Sequence, residues 1–343
     1  VQAQVASAAE MALGVRVDGL RPADVQQALW QERSLVKTWA MRGALHLVAA
    51  ADLPLLVAAR GAHEIRRPPS YYTYHGLTPA DGEAILAGVP EVLSATPMTR
   101  QELADALAER TGRPGVRHIL LGGWGSSLKP SAYQGDLCFG PSQGQNVTFV
   151  RPSAWLGAWG PPLEPQAALL EVVRRFLCAF GPATAEEFAR WWGTQTGKAK
   201  KAFRALGDEL VPVEIEGWPA VALAETLPLP EPAGGGPLVR LLGLFDAYVM
   251  AAQRKCEPIL AVEHYLRVYR PQGWLSAVIL VDGRIAGVWT SAKRAGRVVL
   301  QVEPFAPLAP AERRGLAAEA ERLSDFLAAE VELTFAPGER GRA

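Results

Sequence analysis

The sequence predicts an α+β fold in which three helix-helix-hairpin units precede a β-rich C-terminal domain. Three observations carry this. Helical periodicity gives way to strand-like alternation three times before residue 228. The Pro- and Gly-rich segment LPLPEPAGGGP (227–237) then reads as a linker or boundary. Beyond it, VRLLGLF, WLSAVILVDGRIAGVWT and GRVVLQVEPF are short apolar runs separated by Asp282-Gly283 and Gly296. Asp-Gly between alternating runs is a strong hairpin signal.

Each unit has its own local signature. Pro22 opens a helix through Asp24, Val25, Ala28 and Leu29, and LVKTWAMRGALHLV (35–48) alternates like two strands with Arg42-Gly43 at the bend. In the second unit Thr99 and Glu102 form a capping box, the helix stops at Gly112, and a further helix is expected near Gly115 to Trp124, followed by a hairpin within 131–150. In the third, Thr184 and Glu187 cap ATAEEFARWWGTQTG, the Lys-rich KAKKAFRAL (198–206) follows, and 210–224 reads as strand, Gly turn, strand. Two strands joined by a Gly turn behind helices resemble the wing of a winged helix-turn-helix. The expected organisation is therefore three tandem winged-helix units, over 1–90 (with scaffold), 91–160 and 161–228. A small antiparallel β-barrel or sheet is expected over 238–335, closed by an amphipathic helix at 310–330, with a frayed GERGRA at the end.

A chain of 343 residues has room for two domains or three small ones. Hydrophobic residues make up 49% against 20% charged, which excludes a disordered chain. Apolar runs such as Trp274 to Val281 are far shorter than the roughly 20 residues of a membrane span. Three cysteines, at 138, 178 and 256, lack CxxC spacing and leave one unpaired, which argues against a disulfide framework and for a reducing cytoplasm. The opening VQAQVASAAEM lacks the basic region of a signal peptide and reads as the continuation of an upstream piece.

Lys plus Arg (35) equals Asp plus Glu (35), so any affinity for nucleic acid must come from local clusters. Arg190, Lys198, Lys200, Lys201 and Arg204 fall between Phe188 and Gly207 with no acid among them. Arg284, Lys293, Arg294 and Arg297 do the same between 283 and 302, the last three at a predicted hairpin tip. Both clusters suit phosphate contacts, although solvated faces of this kind are common. The histidines at 46, 63, 75, 118 and 264 show no metal-ligand spacing, and no phosphate-binding Gly loop or GxSxG elbow appears. No metal, nucleotide or other cofactor is expected.

Gln2-Ala3-Gln4 and TWAMRGALHLV (38–48) resemble the paired motifs of the AlkZ/YcaQ-like winged-helix DNA glycosylases, and they stand at the expected separation. LLGLFDAYVM (241–250) is similar to that family's Phe-Asp-x-Tyr segment and VDGRIAGVW (281–289) to its Val-Asp-Gly-Arg hairpin. Two positions depart from the pattern: Ala44 stands where Thr is usual, and AAQRK (251–255) replaces a Gly-Tyr-Arg-Asp-Arg run, putting DNA contact by that run in doubt. The resemblance implies tandem winged helices curved around a channel and an enzyme that excises alkylated bases from double-stranded DNA, working as a monomer in the cytoplasm, at the nucleoid.

The chemistry fits a glutamine pair. An N7-alkylated purine is already a cationic leaving group, so the remaining task is to place a water at C1′ and tolerate positive charge on the sugar. Residues i and i+2 of an extended segment point the same way, so the neutral carbonyls of Gln2 and Gln4 can face one sugar. Alone, the two would be ordinary surface glutamines; relatives with Asp at the second position are expected to have a stronger base and wider lesion range, so Gln4 points to the crosslink-oriented branch. No well-placed Lys suggests a strand-cleaving Schiff base. Thr38, Arg42 and His46 either line the channel or serve as strand caps and an ion-paired Arg. Asp246 and Tyr248 either reach the channel or serve as internal acceptor and packing, while Trp30, Trp39, Trp191 and Trp192 suit the core better than base stacking. A winged-helix transcriptional regulator without catalysis, or a purely structural DNA binder, would share most of these features.

Overall fold

The computed structural model describes residues 1–61, 69–74, 76–122, 125–157, 159–215, 217–228, 234, 236–251, 259–294 and 296–336, without the side chains of Pro69, Tyr71 and Tyr72. His63, His75, Trp124, Cys256, the middle of the 227–237 segment, all of the 251–255 run except Ala251, and GERGRA lie outside the described residues. The chain divides into two compact units. One holds Val1–Gln26, Pro212–Ala220 and Glu225–Ala343, the other Gln27–Val211 and Val221–Ala224. Among the described residues no helix is long and apolar enough to cross a membrane.

The first helix, α1 (Ala6–Gly14), belongs to the first unit. Pro22 opens α2 (Pro22–Trp30), where the Asp24 carboxylate accepts the Arg21 N–H at 2.7 Å. Strands β1 (Leu35–Trp39) and β2 (Leu45–Ala49) then pair antiparallel, with Thr38 opposite His46. The bend falls on Arg42 and Gly43, both left-handed at φ 56° and 68°. Helices α3 (Leu53–Gly61), α4 (Pro69–Tyr74) and α5 (Pro79–Val92) follow, α5 starting from a Thr78/Asp81 capping box.

Two stretches of the chain repeat one order. In one, β3 (Met98–Thr99) leads through the Thr99/Glu102 box into α6 (Arg100–Thr111), which ends at left-handed Gly112, then α7 (Pro114–Leu121), α8 (Lys129–Tyr133) and the hairpin β4 (Cys138–Gln143) and β5 (Asn146–Val150). These strands form a sheet in the order β3-β5-β4 around buried Leu103, Leu107, Val116, Leu120 and Phe149. In the other, after α9 (Pro152–Trp155) and α10 (Pro165–Phe180), Ala183 bridges to Val221, and the Thr184/Glu187 box starts α11 (Ala185–Trp192). That helix ends at Gly193 and is followed by α12 (Thr196–Leu206) and the hairpin β6 (Leu210–Ile215) and β7 (Trp218–Leu223). Phe176, Phe188, Trp192 and Phe203 fill its core.

The C-terminal sheet contains β8 (Val239–Leu242), then, past α13 (Ala247–Ala251) and α14 (Tyr265–Val268), β9 (Ala277–Val281), β10 (Arg284–Arg294) and β11 (Arg297–Pro304). Every residue of β9 is buried, as a central strand requires. Asp282 and Gly283, at φ 47° and 80°, make the two-residue turn that the Asp-Gly signal predicts. Helix α15 (Pro310–Leu327) ends where Ala328 turns left-handed, and β12 (Val331–Phe335) pairs with β11 in parallel. The order is β12-β11-β10-β9-β8.

Two expectations are corrected here. Of the two forms expected, barrel or sheet, the described strands make an open sheet with β8 and β12 outermost, so the barrel alternative falls. Nor is it wholly antiparallel, because α15 carries the chain back across the sheet before β12 joins, the crossover a parallel pair needs.

Candidate functional site

The glutamine motif precedes α1 on extended backbone. Ala3 is 2% exposed, Gln2 half-buried and Gln4 exposed. The alternation puts the alanine methyl inward and leaves the two flanking amides on its other side. Val5, at φ −111° and ψ 114°, continues this extension up to the helix.

Within the β1–β2 hairpin, His46 is 3% exposed and its Nδ1 lies 2.9 Å from the Ala44 carbonyl. A carbonyl only accepts, so the proton sits on Nδ1 and Nε2 keeps its lone pair. Burial pushes the His46 pKa down to about 3, helped by the charges of Arg42 and Arg60, and the ring is neutral at physiological pH. Across the ladder, Thr38 is 2% exposed and its hydroxyl oxygen has no hydrogen-bond partner among the described residues.

Arg42 donates from Nη1 to the Trp191 carbonyl at 2.6 Å, which places a cation at the C-terminal end of α11. Burial, with the charge of neighbouring Arg60 acting in the same direction, lowers its pKa to about 10. Arg60 donates to the Ala40 carbonyl at 2.7 Å and lies over the rings of Tyr133 and Trp192. The Arg42 side chain thus bonds a backbone carbonyl. Arg60 was missed; an Arg in the last turn of an apolar helix carries no signal of its own in a single sequence.

Asp246 is fully buried and accepts both guanidinium nitrogens of Arg16, at 2.8 and 2.7 Å, together with the Tyr248 N–H at 2.9 Å. The Tyr248 hydroxyl donates to the Gly283 carbonyl at 2.7 Å. Both side chains thus make internal contacts between the Phe-Asp-x-Tyr segment and its surroundings. Arg16, two residues past α1, was not singled out from the sequence. Trp39 and Trp192 are core residues as expected, and Trp191 packs on Phe176 and Phe188.

The basic clusters are on the surface apart from Arg190, which is half-buried. Helix α12 buries Ala199, Ala202, Phe203 and Leu206, which leaves Lys198, Lys200, Lys201 and Arg204 exposed. Lys200 is paired with Glu186 at 2.7 Å, an acid two residues before the acid-free stretch Phe188–Gly207. On the distal part of the β10–β11 hairpin, Lys293 and Arg294 are exposed without an acidic partner among the described residues, whereas Arg297 pairs with Glu332 at 3.0 Å. Among the described residues no three His, Cys, Asp or Glu side chains gather as a metal site would require.

Known proteins share this fold. Residues 1–326 match the family model described as DNA glycosylase AlkZ-like. The chain is 38% identical over 296 residues, 84% of its own length and 79% of the relative's, to a Streptomyces sahachiroi protein named interstrand DNA cross-link repair glycosylase. Its fold matches the solved Streptomyces sahachiroi DNA glycosylase AlkZ with a TM-score of 0.87 at 34% identity, covering 98% of this chain and 91% of that one. The motifs that carried the resemblance thus lie in a chain whose residues 1–326 match the family, and the protein belongs to the AlkZ-like DNA glycosylase family.

Proposed function

We propose that the protein is a monofunctional DNA glycosylase that hydrolyses the N-glycosidic bond of N7-alkylated purines in double-stranded DNA, and that it unhooks interstrand crosslinks anchored through such purines. The observation that carries this reading is the Gln2-Ala3-Gln4 segment, held extended with its alanine buried, in a chain of this family. Alkylation at N7 leaves the purine cationic. When the C1′–N9 bond breaks, its electron pair neutralises that charge and the base departs without protonation. A water oxygen bonds to C1′ and its proton passes to solvent. The two amides orient this water, and their carbonyl dipoles stabilise the positive charge that develops on the sugar.

Duplex binding is assigned to the helix-helix-hairpin segments, read as winged-helix units over 1–90, 91–160 and 161–228, and to the hairpin carrying Lys293 and Arg294. The repeated order of short strand, box-capped helix, second helix and hairpin supports this for the second and third. The protein would act as a monomer on cellular DNA. Release of N7-methylguanine from a duplex, by wild type and by Gln2→Ala and Gln4→Ala, tests the assignment. Each substitution is expected to lower excision at least about tenfold with duplex affinity within a few-fold, because it removes a contact made in the transition state. Wild-type rates in the double variant would refute the catalytic role.

A further inference from the structure

The helix that follows the glutamine pair is fastened at its far end by buried carboxylates that have no part in the hydrolysis itself. α1 buries Ala8, Ala9, Met11, Ala12 and Gly14. Small side chains let it approach closely: a Cβ on Gly14 would fall 2.4 Å from the Phe326 ring of α15, and one on Gly243 would fall 3.1 Å from the Met11 sulfur. A seam of methyl groups and hydrogens offers few interlocking knobs, so it leaves rotation of the helix about its own axis weakly defined.

Polar contacts supply that definition at two carbonyls of the last turn. Arg16 donates from Nη1 to the Ala12 carbonyl at 2.8 Å and, with Nη2, grips both oxygens of Asp246. Arg322 of α15 donates to the Gly14 carbonyl at 3.0 Å while its other nitrogens hold Glu319 at 2.9 and 3.1 Å. Glu319, itself buried, also accepts the Leu241 N–H of β8 at 3.0 Å. Through Tyr248 the Asp246 carboxylate is linked onward to the Gly283 carbonyl of the β9–β10 turn. Three separate motifs, the glutamine segment with its helix, Phe-Asp-x-Tyr and Val-Asp-Gly-Arg, are thereby joined in one chain of hydrogen bonds.

We propose that Arg16 and Asp246 are positioning residues, whose buried two-pronged contact sets the rotation of α1 and so the direction in which Gln2 and Gln4 are presented. The inference rests on the catalytic reading of the glutamines. A helix with its side chains has a radius of about 5 Å. Turning it by about 20° about its axis moves groups at that radius by about 2 Å, while a misplacement of about 1 Å is enough to cost about a hundredfold in rate. The planar fork of an arginine on a carboxylate fixes orientation as well as distance.

The test measures single-turnover release from a duplex carrying one N7-methylguanine, alongside duplex affinity, thermal unfolding and amide hydrogen exchange of residues 6–14, for Asp246→Asn, Arg16→Lys, Arg16→Met and the Asp246→Asn/Arg16→Met double variant. Asp246→Asn keeps the side-chain volume and an oxygen for the Tyr248 N–H, and Arg16→Lys keeps the charge, so at least one of them should fold. Asp246→Asn and Arg16→Met are expected to lose about 10- to 100-fold in rate, with affinity within about threefold and faster exchange in α1. Arg16→Lys should fall between these and wild type, and the double variant should be no worse than either single one. A pair that only stabilises the fold would lower the unfolding temperature and leave the folded enzyme within about twofold of the wild-type rate, which would overturn the proposal; so would a loss of affinity equal to the loss of rate. Gln2→Ala and Gln4→Ala are assayed in parallel. If they are inactive while Asp246→Asn is unimpaired, only the positioning role falls; if they retain full rate, the glutamine assignment falls and the positioning role with it.

Discussion

Gly193 stands directly against the backbone of Arg42: a methyl group on it would lie 2.8 Å from the Arg42 Cα. Gly193 is also left-handed, at φ 80°, where it ends α11. The bend of the first hairpin therefore seats on a helix terminus that only glycine leaves open, and Arg42 completes the seat by bonding the Trp191 carbonyl. Gly193→Ala combines backbone strain with a backbone collision and is expected to cost about 2–4 kcal/mol, read from the urea midpoint at unchanged m-value.

Thr38 presents the reverse situation. Its hydroxyl is buried without a hydrogen-bond partner among the described residues, so removing the polar group while keeping the shape should relieve a penalty. Thr38→Val is expected to stabilise the protein by about 1 kcal/mol. If its excision rate falls as well, the hydroxyl serves the substrate; if the rate is unchanged, it is a structural residue only.

His46 makes stability sensitive to acid. Its folded pKa of about 3 lies below the ordinary 6.5, so in that interval the unfolded chain binds a proton that the folded protein refuses. The contribution of the neutral ring is complete above pH 6.5 and is lost progressively as pH falls toward 3. The slope from this one group is at most about 1.4 kcal/mol per pH unit. Denaturation midpoints at pH 7 and pH 5 should therefore diverge more in wild type than in His46→Phe, and parallel behaviour of the two would show that the imidazole is not the group responsible.

On the β10–β11 hairpin, Lys293 and Arg294 are the exposed cations without an acidic partner among the described residues, while Glu332 already balances Arg297. Replacing Lys293 and Arg294 by Ala should weaken binding to any duplex alike and reduce the salt slope by about two, and adding Arg297→Ala should change it little further. An unchanged slope would mean that the tip is only hydrated.

Helix α12 carries mostly Lys on its outer face, and Lys favours point-charge contact over the two-pronged base recognition of Arg. Lys198→Ala, Lys201→Ala and Arg204→Ala are each expected to weaken all duplexes equally, with Lys200→Ala the mildest because Glu186 holds that ammonium. Selection from random duplexes should return no consensus; a single tight motif would favour a sequence-reading regulator over a repair enzyme.

Much of this architecture is legible because its signals are local. The Thr99/Glu102 and Thr184/Glu187 boxes, the Asp282-Gly283 turn and the bend at Arg42-Gly43 each need only a few neighbouring residues to be recognised, and each is found where the sequence places it. What stayed hidden depends on partners distant in the chain. Nothing beside Asp246 announces Arg16, 230 residues away, and Glu186 lies outside the basic run it partly neutralises because a salt bridge between helices does not respect a window along the sequence. β12 escaped because five residues of alternation after a helix say nothing about which strand will receive them. In the catalytic segment, the residue types and their spacing were readable; the burial of Ala3 that separates two glutamines from the core was not.

The parallel pairing of β12 with β11 has a consequence for biosynthesis. Until Val331–Phe335 has emerged from the ribosome, the backbone groups along one side of β11 lack their final partner, and the nascent sheet carries a bare edge of the kind that templates aggregation. The same strand delivers Glu332 to Arg297. A polypeptide interrupted after α15 would therefore be both stickier and more cationic at this hairpin than the finished protein, and its affinity for nucleic acid would rise just as its solubility declined.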